Sequence, residues 1–279
     1  LNKIARVFPR KTKASPDDAL AFFGKPPPLS AMPEVDEVHV SVSFTYDLPE
    51  AERLAGLWRA VGVPVTLGGP ATGQRGGDFT PGLYLKQGYV ITSRGCNNAC
   101  WFCSVPKREG KIRELPITEG FNIVDDNLLA CSEEHIRGVF EMLKRQKEKP
   151  VFTGGLEAKL LKPWHVELLT DVKTRRMYFA YDTVDDLEPL VAAGKLLNAA
   201  GMTRASRKPN CYVLIGYPGD TFDAAEKRLL EAWNAGFFPF AMLYRDNDGE
   251  TEKSWRTFQR EWARPTIIAA KFKNEGVEI

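Results

Sequence analysis

Tyr89-Val90-Ile91-Thr92-Ser93-Arg94-Gly95-Cys96-Asn97-Asn98-Ala99-Cys100-Trp101-Phe102-Cys103 runs from an apolar strand, Tyr89 to Thr92, straight into a loop with three cysteines. Downstream, strands alternate with helices. Strands are expected at Phe121 to Val124, Val151 to Thr153, Met177 to Tyr181, Cys211 to Ile215 and Phe238 to Tyr244. Between them lie apolar stripes of helical spacing: Ile136, Val139, Phe140 and Leu143 after a Ser132 cap, then Trp164 to Val172, Leu187 to Ala200, and Phe222, Ala225, Leu229 and Trp233. Strands alternating with helices imply an α/β fold with a parallel sheet, either a partial barrel or an open doubly wound sheet. In both, ligands gather at the carboxyl ends of the strands. Those ends carry the cysteines, Asp125 and Asp126, the Gly154 to Glu157 turn, Tyr181 and Asp182, and the Gly216 to Asp220 turn.

Upstream, Val35 to Phe44 alternates as a half-buried strand, Pro49 to Val61 is helical up to Gly62, and Val63 to Leu67 returns as a strand. This small βαβ-like unit occupies residues 35–80. Residues 1–34, with Pro26, Pro27 and Pro28, read as an irregular arm; 81–248 form the main α/β unit and 249–279 a helical extension. The 279 residues are 43% hydrophobic, and 38 Lys plus Arg stand against 36 Asp plus Glu, so no strong field draws the chain to nucleic acid or membrane. No apolar run approaches the roughly 18 residues that cross a bilayer. Five cysteines, an odd and clustered set, fit a reducing compartment and an inorganic site, so a cytoplasmic location is expected.

Thiolates at Cys96, Cys100 and Cys103 have the spacing to wrap a compact cluster from one loop, each on a different iron. A [4Fe–4S] cube held so keeps one iron without a protein ligand. Zinc competes for thiolates, but a closed zinc site needs a fourth ligand, for which Cys131 and His135 are the nearest residues. Cys211 alternates with apolar residues and reads as core.

The CxxxCxxC spacing, the aromatic Phe102 before the last cysteine and the strand before the loop resemble the radical S-adenosylmethionine superfamily, over about residues 86–245. The resemblance implies a partial (βα)6 barrel of parallel strands. It also implies a [4Fe–4S] cluster whose open iron takes the amino and carboxylate groups of S-adenosylmethionine, and an electron donor such as flavodoxin or ferredoxin. By the same resemblance, Asp125 and Asp126, at the end of the second strand, would lie near the methionine moiety. Gly154-Gly155-Leu156-Glu157 resembles the Gly-Gly-Glu motif that binds its amino group, although it ends the third strand. Gly216 and Tyr244 would border the adenine, and Tyr181 and Asp182 the ribose or carboxylate. Glu157 and Asp182 are the candidate catalytic carboxylates.

Residues 35–80 resemble a shortened cobalamin-binding domain, but its DxHxxG motif is missing and His39 stands at the wrong spacing from Asp36, so cobalamin is not expected. His135 and His165 read as partly exposed helix residues. Lys107, Arg108, Lys111 and Arg113, offset by Glu109 and Glu114, read as a solvated loop. Trp255, Arg256, Phe258, Arg260, Trp262 and Arg264 suit either contacts to a nucleic acid or an amphipathic helix packed over the sheet. The substrate is thus a small molecule or a nucleotide, with a nucleic-acid base and a non-catalytic electron-transfer role as alternatives.

Overall fold

The computed structural model describes residues 2–264, 266–268 and 270. Its first sheet contains β1 (Ile4–Phe8), β2 (Ala21–Phe23), β3 (Glu37–Ser41) and β4 (Val65–Gly68), with α1 (Leu48–Trp58) between β3 and β4. The strands lie in the order β2-β1-β3-β4, all parallel. The opening residues are therefore not an irregular arm. In β1, Ala5 and Val7 point into the apolar cluster of Val38, Val40, Leu54 and Trp58, while Arg6 points the other way and pairs with Asp18 at 2.5 Å. That is ordinary two-residue alternation.

The second sheet follows from β5 (Tyr89–Val90). A short ribbon of β6 (Ser93–Arg94), α2 (Val105–Glu109) and β7 (Arg113–Glu114) interrupts, and the sheet resumes with β8 (Asn122–Ile123). The rest alternates: α3 (Glu133–Lys144), β9 (Val151–Leu156), α4 (Pro163–Asp171), β10 (Arg176–Tyr181), α5 (Leu187–Ala199), β11 (Pro209–Ile215), α6 (Phe222–Asn234), β12 (Phe238–Leu243) and α7 (Lys253–Trp262). The order β5-β8-β9-β10-β11-β12 is the order of the chain, and every pair is parallel. A doubly wound sheet reverses its order at a switch point; here no reversal occurs, so the carboxyl ends of six strands line one edge in sequence. Ser132 caps α3 by accepting the His135 N–H at 3.2 Å, and Thr221 caps α6 through the Ala224 N–H at 3.2 Å. The interior is a continuous cluster including Phe140, Phe152, Phe179, Leu190, Leu229 and Trp233.

Several local expectations change. β9 does not stop at Gly154 but runs to Leu156, with a register shift against β10. His135 and His165 are buried; His165 accepts the Lys162 N–H at 2.9 Å, and burial pulls its imidazole down to about 4, so it stays neutral. The aromatics of α7 turn inward: Trp262 is fully buried and Trp255 packs on Phe222 at 4.3 Å, while Arg256 and Arg260 are exposed. Phe258 also packs on Phe222, at 5.4 Å, as the amphipathic-helix expectation has it. The part of the C-terminal extension at 271–279 lies outside the described residues. No helix among the described residues is long and apolar enough to cross a membrane.

Candidate functional site

The cysteine loop leaves the sheet between β6 and β7 and is fixed from below by two carboxylates at the end of β8. Asp125 is 1% exposed and accepts the Thr92 N–H and Thr92 hydroxyl, both at 2.6 Å, and the Ser93 hydroxyl at 2.8 Å. Burial pushes its carboxyl up, against the pull of those donors. Its oxygens are spent on positioning β6. Asp126 accepts the Gly95 N–H at 2.8 Å, one residue before Cys96. Gly95 has φ +89°, and a Cβ there would stand 2.3 Å from the Lys111 carbonyl, so only glycine lets the loop pass this close to its return limb.

Cys96 Sγ accepts the Asn98 N–H at 3.4 Å and the Asn127 Nδ2–H at 3.5 Å. The Cys100 thiol is pushed up to about 11, first by burial and then by the charges of Cys103 and Cys96. The Cys103 thiol is likewise pushed up, first by burial and also by the charge of Cys96, so joint ionisation is disfavoured unless a cation compensates it. A four-iron cube takes one thiolate per iron, and Cys96, Cys100 and Cys103 stand on one loop. The one-loop set, with N–H donors aimed at sulfur, fits the cube.

Asn127 also ties the second strand end to the third: its Nδ2 donates to Glu157 Oε2 at 2.6 Å. The two rival positions for the methionine end, Asp125-Asp126-Asn127 and Gly154-Gly155-Leu156-Glu157, thus meet in space, through an asparagine that sequence reasoning passed over. Gly154 makes the meeting feasible, since a Cβ there would lie 2.2 Å from the Asp125 carbonyl. Only its place in the turn after two aspartates hinted at Asn127.

Asp182, at the end of β10, accepts the Leu214 N–H at 3.1 Å. Its carboxyl is pushed up to about 7, chiefly by burial and secondarily by Asp186, and its charge is felt at Cys100. Tyr181 points away, its hydroxyl donating to Glu231 at 2.5 Å on α6. Gly216 donates its N–H to Asp220 at 2.8 Å, and Asp220 pairs with Arg228 at 2.8 Å, which fixes the turn bearing Tyr217. Over the loop, Trp101 is 55% exposed, with Phe102 at 5.4 Å, Tyr244 at 5.6 Å and Tyr217 at 5.7 Å. These rings line a mouth of planar surfaces.

The return limb is only in part a solvated loop: Lys107 and Lys111 are exposed, while Arg108 and Arg113 are not. Glu109, 3% exposed, pairs with Arg108 at 2.9 Å and Arg113 at 3.6 Å, and accepts the Gly76 N–H at 3.2 and 3.1 Å. Cys211 is fully buried in the sheet; Cys131 is half-buried, and burial pushes its thiol up to about 12.

No family profile matches the chain. It is similar to the ribosomal protein uS12 methylthiotransferase RimO of Actinobacillus succinogenes, 29% identical over 163 residues, 55% of this chain and 36% of that protein. The same enzyme of Xanthomonas campestris pv. campestris is 30% identical over 175 residues, 56% and 35% of the two chains. That of Mannheimia succiniciproducens is 28% identical over 177 residues, 59% and 37%. The chain thus spans little more than a third of these relatives' length. Besides this likeness to methylthiotransferases, the chain has a three-cysteine loop opening from the first strand of a chain-ordered parallel sheet, and on both counts it resembles the radical S-adenosylmethionine superfamily.

Proposed function

We propose that the chain is a radical S-adenosylmethionine enzyme, its second sheet a partial (βα)6 barrel over about residues 81–248, acting in the cytoplasm on a substrate held at the carboxyl edge. The observation that carries this is the three-thiolate loop at the head of six chain-ordered parallel strands, with Asn127, Glu157 and Asp182 converging on the same edge. Cys96, Cys100 and Cys103 hold the [4Fe–4S] cluster. When bound, the cluster would supply the single electron for reductive cleavage of S-adenosylmethionine, the chemistry that opens hydrogen abstraction from a substrate.

The chain's own part is to bind, orient and exclude. Asn127 donates to the Cys96 sulfur and holds Glu157, whose carboxylate would take the cofactor's ammonium. Asp182, with a carboxyl near 7, can either donate or accept a hydrogen bond at a ribose hydroxyl. Gly216, Tyr217, Tyr244 and Trp101 offer backbone and ring surfaces to a planar base and keep water from the reacting atoms. Exposed Lys107 and Lys111 flank the loop and suit an acidic electron donor.

Methylthio transfer to a protein is the second reading, favoured by the relatives' printed activity. It requires a sulfur donor. Outside the loop, burial pushes the thiols of Cys131 and Cys211 up, and hydrogen abstraction is the step that both readings share. The test is anaerobic reconstitution followed by dithionite and S-adenosylmethionine. Formation of 5′-deoxyadenosine and methionine, abolished by Cys100→Ala, is expected; stoichiometric zinc and no cleavage product would refute the proposal.

A further inference from the structure

A cavity of about 580 Å³ lies against the first sheet; no cysteine lines it, although Arg94, Arg108 and Glu109 of the two limbs of the cysteine loop do. α1 covers one face of that sheet, where Val38, Val40 and Val42 pack on Leu54 and Trp58. A parallel sheet ordinarily buries its second face under apolar side chains as well. Here the second face presents His39, Ser41 and Thr66, which line the cavity. These side chains are too small and too polar to fill the space by packing. Phe79, Leu83 and Tyr84 of the connector and Phe44 also line it, Tyr84 meeting His39 directly. Hydroxyls on the sheet together with apolar and aromatic side chains make a lining suited to a ring with a polar group, at the sheet edge where α/β folds take ligands.

Two cations of the lining, Arg75 and Arg94, form no ion pair among the described residues, against one carboxylate without an ion pair, Asp78. Arg94 is held to the wall by its Nε–H to the Gly77 carbonyl at 3.1 Å, while Arg10 is matched by Asp47 and Arg108 by Glu109. His39 is no open ligand: Nδ1 meets the Tyr84 hydroxyl at 2.6 Å and Nε2 meets Glu37 at 3.1 Å. We propose that this cavity binds a flat aromatic molecule bearing one anionic group, a phosphate or a carboxylate, of about mononucleotide size. The ring lies against Ser41, Thr66, Phe79 and Tyr84, and the anion meets Arg94.

The test is calorimetric titration of the full chain with adenosine 5′-monophosphate and with indole-3-acetate, against adenosine and inorganic phosphate alone. At least one anionic aromatic should bind about tenfold or more tighter than adenosine and phosphate, a charge-assisted hydrogen bond setting the scale. Binding of the monophosphate alone would identify a phosphate head, and of the indole acid alone a carboxylate head. Ser41→Trp, which narrows the cavity, and Arg94→Gln should each weaken binding by about tenfold or more, with unchanged far-ultraviolet circular dichroism. Thr66→Trp, at the exposed mouth, takes the place of Ser41→Trp if that variant unfolds. No binding of either probe at millimolar concentration, equal binding of adenosine, or binding that these variants leave untouched would overturn the proposal.

Discussion

Asn127 shows how much one side chain can decide at this edge. An N–H aimed at a cluster-binding sulfur stabilises the more negative, reduced state. Asn127→Ala is therefore expected to lower the cluster's midpoint potential, on the order of 40 mV if one net hydrogen bond of about 1 kcal/mol is set against one electron. Redox titration followed by electron paramagnetic resonance reads this directly, and an unchanged potential would show that the contact does not tune the cluster. Asp182 gives a second prediction, for the protein without its cluster. Its carboxyl titrates near 3.8 in the unfolded chain and near 7 when folded. Between those values the folded state keeps a proton that the unfolded state has lost, so this group's contribution to stability falls as pH rises and is fully lost above about 7. Asp182→Asn should match the wild type in acid and exceed it at pH 8, by on the order of 3 kcal/mol. Equal urea midpoints at both pH values would contradict this. The cysteines were legible from spacing alone, because three thiols in one loop have few other uses. Asn127 was not, because its role exists only where residues 30 positions apart meet.

At the level of the element, β9 carries the lesson. Its Gly154-Gly155 pair looks like a turn after a strand but lies within one, where the bare α-carbon of Gly154 admits the backbone of Asp125. Gly154→Ala must push the ends of β8 and β9 apart, and a cost of about 1–3 kcal/mol is expected from overpacking alone. Glu157 would then be drawn off Asn127, so cofactor binding should weaken along with the denaturation midpoint. A variant with wild-type stability and binding would mean that the strands accommodate the methyl group. The β11 turn is built differently, from the buried Asp220–Arg228 pair, and a run of letters such as Gly216-Tyr217-Pro218-Gly219 gives no sign of that pairing. The strands and helices of the second sheet were readable because apolar periods of two and near four alternate down the chain. β1 and β2 were not: one is five residues with an arginine at its centre, the other only three.

Across the whole molecule, two apolar clusters stand apart, one around Trp58 under the first sheet and one around Trp233 under the second. Two cores of unequal size predict urea unfolding in two steps, with the smaller sheet opening first. Single-tryptophan variants retaining Trp58 or Trp233 report each step, and coincident curves would indicate one cooperative unit. The parallel, chain-ordered arrangement was foreseeable from alternation. The way the halves join was not, since Glu109 reaches back 33 residues to the backbone of Gly76 from a segment whose charges suggest solvent.

Trp101 gives the molecule an optical gauge. An indole more than half open to water, sitting in the loop between two of the three thiols, will emit in the absence of iron and sulfide and fall dark when the visible-absorbing cube forms beside it. Metal incorporation can thus be followed by eye of instrument in a sealed cuvette, and Trp101→Phe should erase that dimming while leaving the brown colour.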